Sequence, residues 1–227
     1  MIAGVELLPV LKPEKPASTN PANEGAGRIT GRDYISWSAI STFRQCPLKY
    51  KFRYVDGLPE ESVSAALVFG TGIHTAVEQH FQAILSGDPK PDIDALLFAY
   101  RSAWLPHDPD TIQFGSTDTR ASLDALARKM LTTFLNSPVT SVQGQVLVVE
   151  EEIRGLLMPG VRDLLGRIDL LTEDVDAITI SDIKTSRLRW SPEQVEGSGE
   201  QLLMYAHLAS EISPGKRRHR ETCAAFF

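Results

Sequence analysis

Asp182 and Lys184 stand two residues apart in the run Ile180-Ser181-Asp182-Ile183-Lys184-Thr185, and Asp169 closes the preceding run Gly166-Arg167-Ile168-Asp169. In a β-strand alternate residues share a face, so Asp182 and Lys184 project together. If the two runs pair as a hairpin, Asp169 comes beside Asp182. Two neighbouring carboxylates repel each other, and burial worsens the repulsion unless a cation sits between them. Mg2+ or Mn2+ accepts oxygen ligands and keeps water, one molecule of which can act as a nucleophile. A lysine in the same space can hold or polarise that water and offset charge on an attacked phosphate. Taken alone, Asp-x-Lys is a common tripeptide, and an ordinary surface ion pair is its better reading.

The elements that must position these residues can be read in outline. Residues 164–172 and 178–186 are Ile- and Leu-rich runs flanking the polar turn Glu173, Asp174, Val175 and Asp176, which predicts a hairpin of partly buried strands. Residues 146–153 form another strand containing Glu150, Glu151 and Glu152; one of these acids could face the metal patch, but a solvated strand face is their better reading. Gly70-Thr71-Gly72-Ile73-His74 leads into a helix whose stripe is Ile73, Ala76, Val77, Phe81 and Ile84. His74 then lies in the first turn with Glu78 one turn later, and a lone histidine beside an apolar stripe reads as structural.

Upstream, Ser36 or Ser38 can cap a helix containing Ile40, Phe43 and Arg44, and Pro47 opens a second helical turn. From Lys49 to Tyr54 basic and aromatic residues interleave; phosphate contact and core packing with a solvated basic face are both open there. Residues 92–136 read as a helical packing insert. Trp190 to Gly199 reads as a loop before a helix from about 200 to 212, on which Gln201 and Tyr205 share one face. An amide and a phenol so placed can hydrogen-bond phosphate or base edges. The expected organisation is a flexible leader over 1–33, one domain over 34–212 and an irregular tail over 213–227, without a last strand to complete the sheet.

A chain of 227 residues, 42% hydrophobic and 23% charged, can bury a core of its own. Its net charge of −6 provides no global basic field, which still permits a local basic groove. The two cysteines, Cys46 and Cys223, make no disulfide framework, and no run approaches a membrane span, so a cytoplasmic protein is expected.

Five pieces in order carry a resemblance: Ser38-x-x-x-x-Phe43-x-x-Cys46-Pro47, Phe69-Gly70-Thr71-Gly72-Ile73-His74, Gly166-Arg167-Ile168-Asp169, Asp182-Ile183-Lys184-Thr185 and Gln201-x-x-x-Tyr205. Together they resemble the stand-alone RecB-like exonucleases of the PD-(D/E)XK nuclease superfamily. The resemblance implies an α/β, restriction-endonuclease-like core: a central mixed β-sheet flanked by helices, here with the helical insertion and an incomplete C-terminal part. It implies a divalent-metal-dependent DNA nuclease, an exonuclease acting on DNA ends or single strands in repair or recombination. His74, Asp169 and Asp182 would ligate Mg2+ or Mn2+ with the Ile183 carbonyl, Lys184 would position or activate the water, and Gln201 with Tyr205 would line the DNA path.

Some relatives hold an iron–sulfur cluster on four cysteines. Cys46 occupies the first position, but one further cysteine cannot complete the set, so no cluster is expected and Cys46 reads as a buried helix-end residue. No Gly-rich ATP loop ending in Lys-Ser/Thr is present, so any helicase would be a separate partner. The alternatives are a nucleic-acid-binding module that keeps the fold without cutting, and an inactive truncated fragment.

Overall fold

The strands grow from the Val-, Ile- and Leu-rich runs, and the helices from sequences whose apolar residues recur every three or four positions. A computed structural model describes residues 30–142, 144–156, 158–186, 191–210 and 219–226. In chain order they form β1 (Tyr34–Ser36), α1 (Trp37–Gln45), α2 (Pro47–Tyr50), a π-helical turn (Lys51–Val55), β2 (Val63–Ser64), α3 (Ala65–Ser86), α4 (Ile93–Ser102), β3 (Ile112–Gln113), α5 (Arg120–Leu135), β4 (Gln145–Gly155), β5 (Asp163–Glu173), β6 (Ile178–Thr185), α6 (Pro192–Ser210) and β7 (His219–Phe226). Most of the expected leader falls outside the described residues.

The central sheet is mixed. On one edge β5 pairs antiparallel with β4 along its length. Its other edge is divided: β6 pairs antiparallel with residues 170–173, and β1 pairs parallel with 163–165. Among the described residues no ladder pair joins residues 166–169 to either of these strands, which leaves a gap where β6 and β1 diverge. The β5–β6 turn is closed by the Asp174 carboxylate, which accepts the N–H groups of Asp176 and Ala177 at 2.8 Å each.

Each face of the sheet buries its own core. On one, Val146, Val149, Leu170 and Ile183 pack with Phe69, Ile73 and Val77 of α3, Leu97 and Tyr100 of α4, and Leu131 and Phe134 of α5. On the other, Val148, Ile168, Leu171 and Ile180 meet Leu202, Tyr205 and Leu208 of α6. The helices expected over residues 92–136 are α4 and α5, laid over α3. No helix among the described residues is long and apolar enough to cross a membrane.

Several expectations need correction. His219–Phe226, placed in an irregular tail, is a strand running parallel to β6 through eight register pairs, from Ile178↔His219 to Thr185↔Phe226. The run His219-Arg220-Glu221-Thr222 lacks alternating hydrophobicity; long-range pairing makes it a strand, with α6 as the crossover that parallel strands require. Helix α6 begins at Pro192, within the expected loop. Ser191-Pro192-Glu193 is a helix-start signal, and it outweighs the glycines at 197 and 199, each costing about 1 kcal/mol inside a helix.

Gly70 and Gly72 lie inside α3, and His74 is in its third turn rather than its first. Gly72 is where α4 crosses, since a Cβ there would stand 2.7 Å from the Tyr100 carbonyl oxygen. Cys46 is exposed, not buried: it caps α2, its sulfur accepting the Lys49 N–H at 3.4 Å.

Candidate metal centre

Two groups of polar side chains meet at the gap beside β5. The first is His74 from α3, Glu150 from β4 and Asp169 from β5, each offering one ligand atom within 4.8 Å of the others. His74 Nδ1 stands 3.5 Å from Glu150 Oε1 and 3.7 Å from Asp169 Oδ2. Asp169 Oδ2 also accepts the Ile183 N–H at 2.6 Å, so the aspartate joins β5 to β6 where the ladder has ended.

Of the three acids Glu150–Glu152, for which a solvated face was the better reading and the metal patch the other, Glu150 is the one that turns inward, its side chain 9% exposed. Its φ of 49° is the single positive value among the described non-glycine residues. Val149 packs into the α3 core while Glu150 also turns toward α3, so the left-handed residue breaks the alternation of the strand. Such a conformation costs on the order of 1–3 kcal/mol and persists where surrounding contacts hold it. The flanking pairs Val149↔Leu170 and Glu151↔Ile168 set Glu150 opposite Asp169. The sequence signal for it is the run of acids Glu150–Glu152 inside an apolar strand.

The second group is Asp182 and Lys184 of β6 with Gln201 and Tyr205 of α6. Lys184 Nζ lies 2.9 Å from both Asp182 oxygens and 3.5 Å from Gln201 Oε1. Gln201 Nε2 donates to the Tyr205 hydroxyl at 3.0 Å and to Asp182 Oδ1 at 3.4 Å. The Tyr205 ring is buried against Gly166, where an added Cβ would lie 2.8 Å from it. The glycine of Gly166-Arg167-Ile168-Asp169 thus admits the ring that steadies Gln201. Asp182 and Lys184 do share a face, and Asp169, reached by His74 from α3, lies near enough to Asp182 for the two carboxylates to act on each other. The two groups adjoin through the gap.

The electrostatics follow from burial and crowding. Burial pushes the Asp169 carboxyl up to about 6, with Asp182 and Glu150 adding to the rise and His74 opposing it. Burial pulls the His74 imidazole down, but the Glu150 hydrogen bond and the Asp169 charge outweigh it, and its pKa ends above the ordinary histidine value. Burial likewise raises Glu150, yet His74 and Arg167, whose Nε lies 2.7 Å away, bring it below the carboxylate norm. Glu78, one turn after His74, is raised by its own burial and by Glu150. Lys184 is lowered by burial and lifted more by Asp182, so it stays an ammonium.

These residues fit a divalent cation. One imidazole nitrogen and carboxylate oxygens converge, a donor set Mn2+ and Mg2+ accept. Asp182 Oδ2 is buried and makes no directed hydrogen bond, the ammonium beside it notwithstanding, and so retains acceptor capacity. His74, Glu150, Asp169 and Asp182 are the residues that could hold the ion. Ile183 contributes its N–H to Asp169 and its side chain to the α3 core.

Fold and centre define a class: an α/β protein with a central mixed sheet whose acidic cluster suits a divalent metal. The family model of the PD-(D/E)XK nuclease superfamily matches residues 34–226, β7 included, and the chain belongs to that superfamily. Its members are typically metal-dependent nucleases, whose substrate is nucleic acid. No curated protein matches the chain.

Proposed function

We propose that this protein is a DNA exonuclease that hydrolyses phosphodiester bonds with Mg2+ or Mn2+ at DNA ends or single strands, in repair or recombination beside a separate helicase or repair partner. The observation that carries this reading is the convergence of His74, Glu150 and Asp169 within 4.8 Å, adjoining a buried Asp182–Lys184 pair. His74, Asp169, Asp182 and the Ile183 carbonyl, with Glu150 added, would hold the ion. Bound there, it would neutralise charge on the phosphate and make water acidic enough to attack.

The rest belongs to the chain. Lys184 Nζ, anchored on Asp182 and Gln201, keeps one N–H for the attacking water, while its charge offsets the negative charge that grows on the phosphate. Because two carboxylates keep it charged, its part is donation and not proton abstraction. Gln201 lines the nucleic-acid path and fixes the ammonium's position, and Tyr205 holds Gln201 from below.

The test is degradation of end-labelled DNA in Mg2+ or Mn2+ by the wild type, Asp182→Ala and Lys184→Ala. Loss of a positioned charge donor of this kind costs about 100- to 1000-fold in rate. Equal degradation by all three proteins rules out the site. Metal-independent, salt-sensitive DNA binding without cleavage in any metal would favour the non-cutting module instead.

A further inference from the structure

The basic and aromatic run that the sequence left open between core packing and phosphate contact divides on burial: Tyr54 lies in the core, whereas Phe52 and the cations are exposed. A short helix exists in a protein mainly because an apolar face of it is buried. Helix α2 buries no residue, and the π-helical turn after it buries only Tyr54. Phe43 is 53% exposed and Phe52 43%, with Leu48 exposed between them. Core packing therefore does not account for these side chains. Arg44, Lys49, Lys51 and Arg53 stand beside them in the same stretch and are likewise exposed, four cations in a chain whose net charge is −6.

Arg44, Lys51 and Arg53 make exposed ion pairs with Glu200, Asp56 and Glu60, and Lys49 makes none among the described residues. Exposed pairs of this kind contribute little and exchange readily for phosphate. The surface is joined to the metal centre: Arg44 pairs with Glu200, the neighbour of Gln201, which reaches Asp182. Single turns of π-helix are often found at functional sites.

We infer that the α1–α2–π-turn surface is a docking platform for single-stranded nucleic acid, with unpaired bases stacking on Phe43 and Phe52 and the backbone running over Arg44, Lys49, Lys51 and Arg53 toward Lys184. Charge complementarity selects a polyanion, and exposed rings select one whose base faces are free; a paired duplex hides those faces. The inference deepens the nuclease reading by naming the strand state of the substrate. It does not need cleavage to be tested.

Binding is followed by the anisotropy of a labelled oligothymidylate, and separately of a duplex, with the full chain in EDTA, where no cutting occurs. Phe43→Ala with Phe52→Ala is expected to weaken single-strand binding roughly five- to a hundredfold per ring lost, and to leave duplex binding nearly unchanged. Phe43→Tyr with Phe52→Tyr is expected to restore it. Lys49→Ala with Lys51→Ala is expected to reduce the slope of log K against log salt by about 0.7 for each lysine removed.

Unchanged single-strand affinity in the alanine pair overturns the inference. Equal losses on both DNAs overturn it, as does a sharply lower melting temperature in the tyrosine pair, which would mean that the rings serve the fold. Cleavage that depends on Lys184 but not on Phe43 or Phe52 would overturn the platform alone. A platform that binds strands in a protein that never cuts would overturn only the nuclease reading.

Discussion

Replacing Asp169 with Asn should make the metal-free protein more stable. In the fold burial and neighbouring acids raise this carboxyl from 3.8 to about 6. The raised value means that the folded state favours the protonated form. Its contribution to stability is fully present below the ordinary carboxyl pKa and is lost as pH rises through about 6. A difference of about two pKa units is about 3 kcal/mol of stability forgone at pH 8. Asn keeps the shape and an oxygen for the Ile183 N–H but carries no charge.

Urea unfolding in EDTA at pH 8 should accordingly show Asp169→Asn more stable by up to about 3 kcal/mol, a rise of about 1 M in the midpoint. Near pH 4 the gain should vanish, because the wild-type carboxyl is then protonated in the folded protein. Saturating Mn2+ should reverse the order at pH 8, since an ion bound only by the folded state stabilises the wild type. A variant no more stable than wild type at pH 8, or one with the same gain at pH 4, refutes the reasoning: crowded, ion-seeking carboxylates would not be the source of strain.

Further outcomes follow from single residues. Glu150→Gln should weaken Mn2+ binding in calorimetry by about 10- to 100-fold, and unchanged affinity would remove Glu150 from the ion's surroundings. His80 is 1% exposed with neither ring nitrogen in a directed hydrogen bond, and burial lowers its pKa. A lowered histidine adds stability above its ordinary pKa and loses it as pH falls below. His80→Met should therefore flatten the loss between pH 7 and pH 5 in urea unfolding and add about 1 kcal/mol at pH 5. Gly72→Ala should destabilise by about 1–3 kcal/mol despite alanine's helix propensity, because the Tyr100 carbonyl cannot move aside; an unchanged urea midpoint would contradict that contact.

The superfamily, the β5–β6 hairpin, the helices over residues 92–136 and six of the side chains now at the centre were legible before any coordinates, because strand and helix periodicity and short motifs are local properties of a sequence. Asp182 with Lys184, and Gln201 with Tyr205, are pairs whose spacing alone puts them on one face. Which of Glu150, Glu151 and Glu152 turns to the centre was not legible: it needs the β4–β5 register and a left-handed φ, both imposed by distant partners. The strand at 219–226 depends on β6 in the same way, since parallel pairing rewards a segment whose own pattern carries no strand signal. The residue types at 43–53 offer cations and rings, while their exposure is a property of the folded chain. Sequence therefore determined the chemistry on offer, and tertiary structure decided which groups meet, because burial and long-range pairing are summed over the whole molecule.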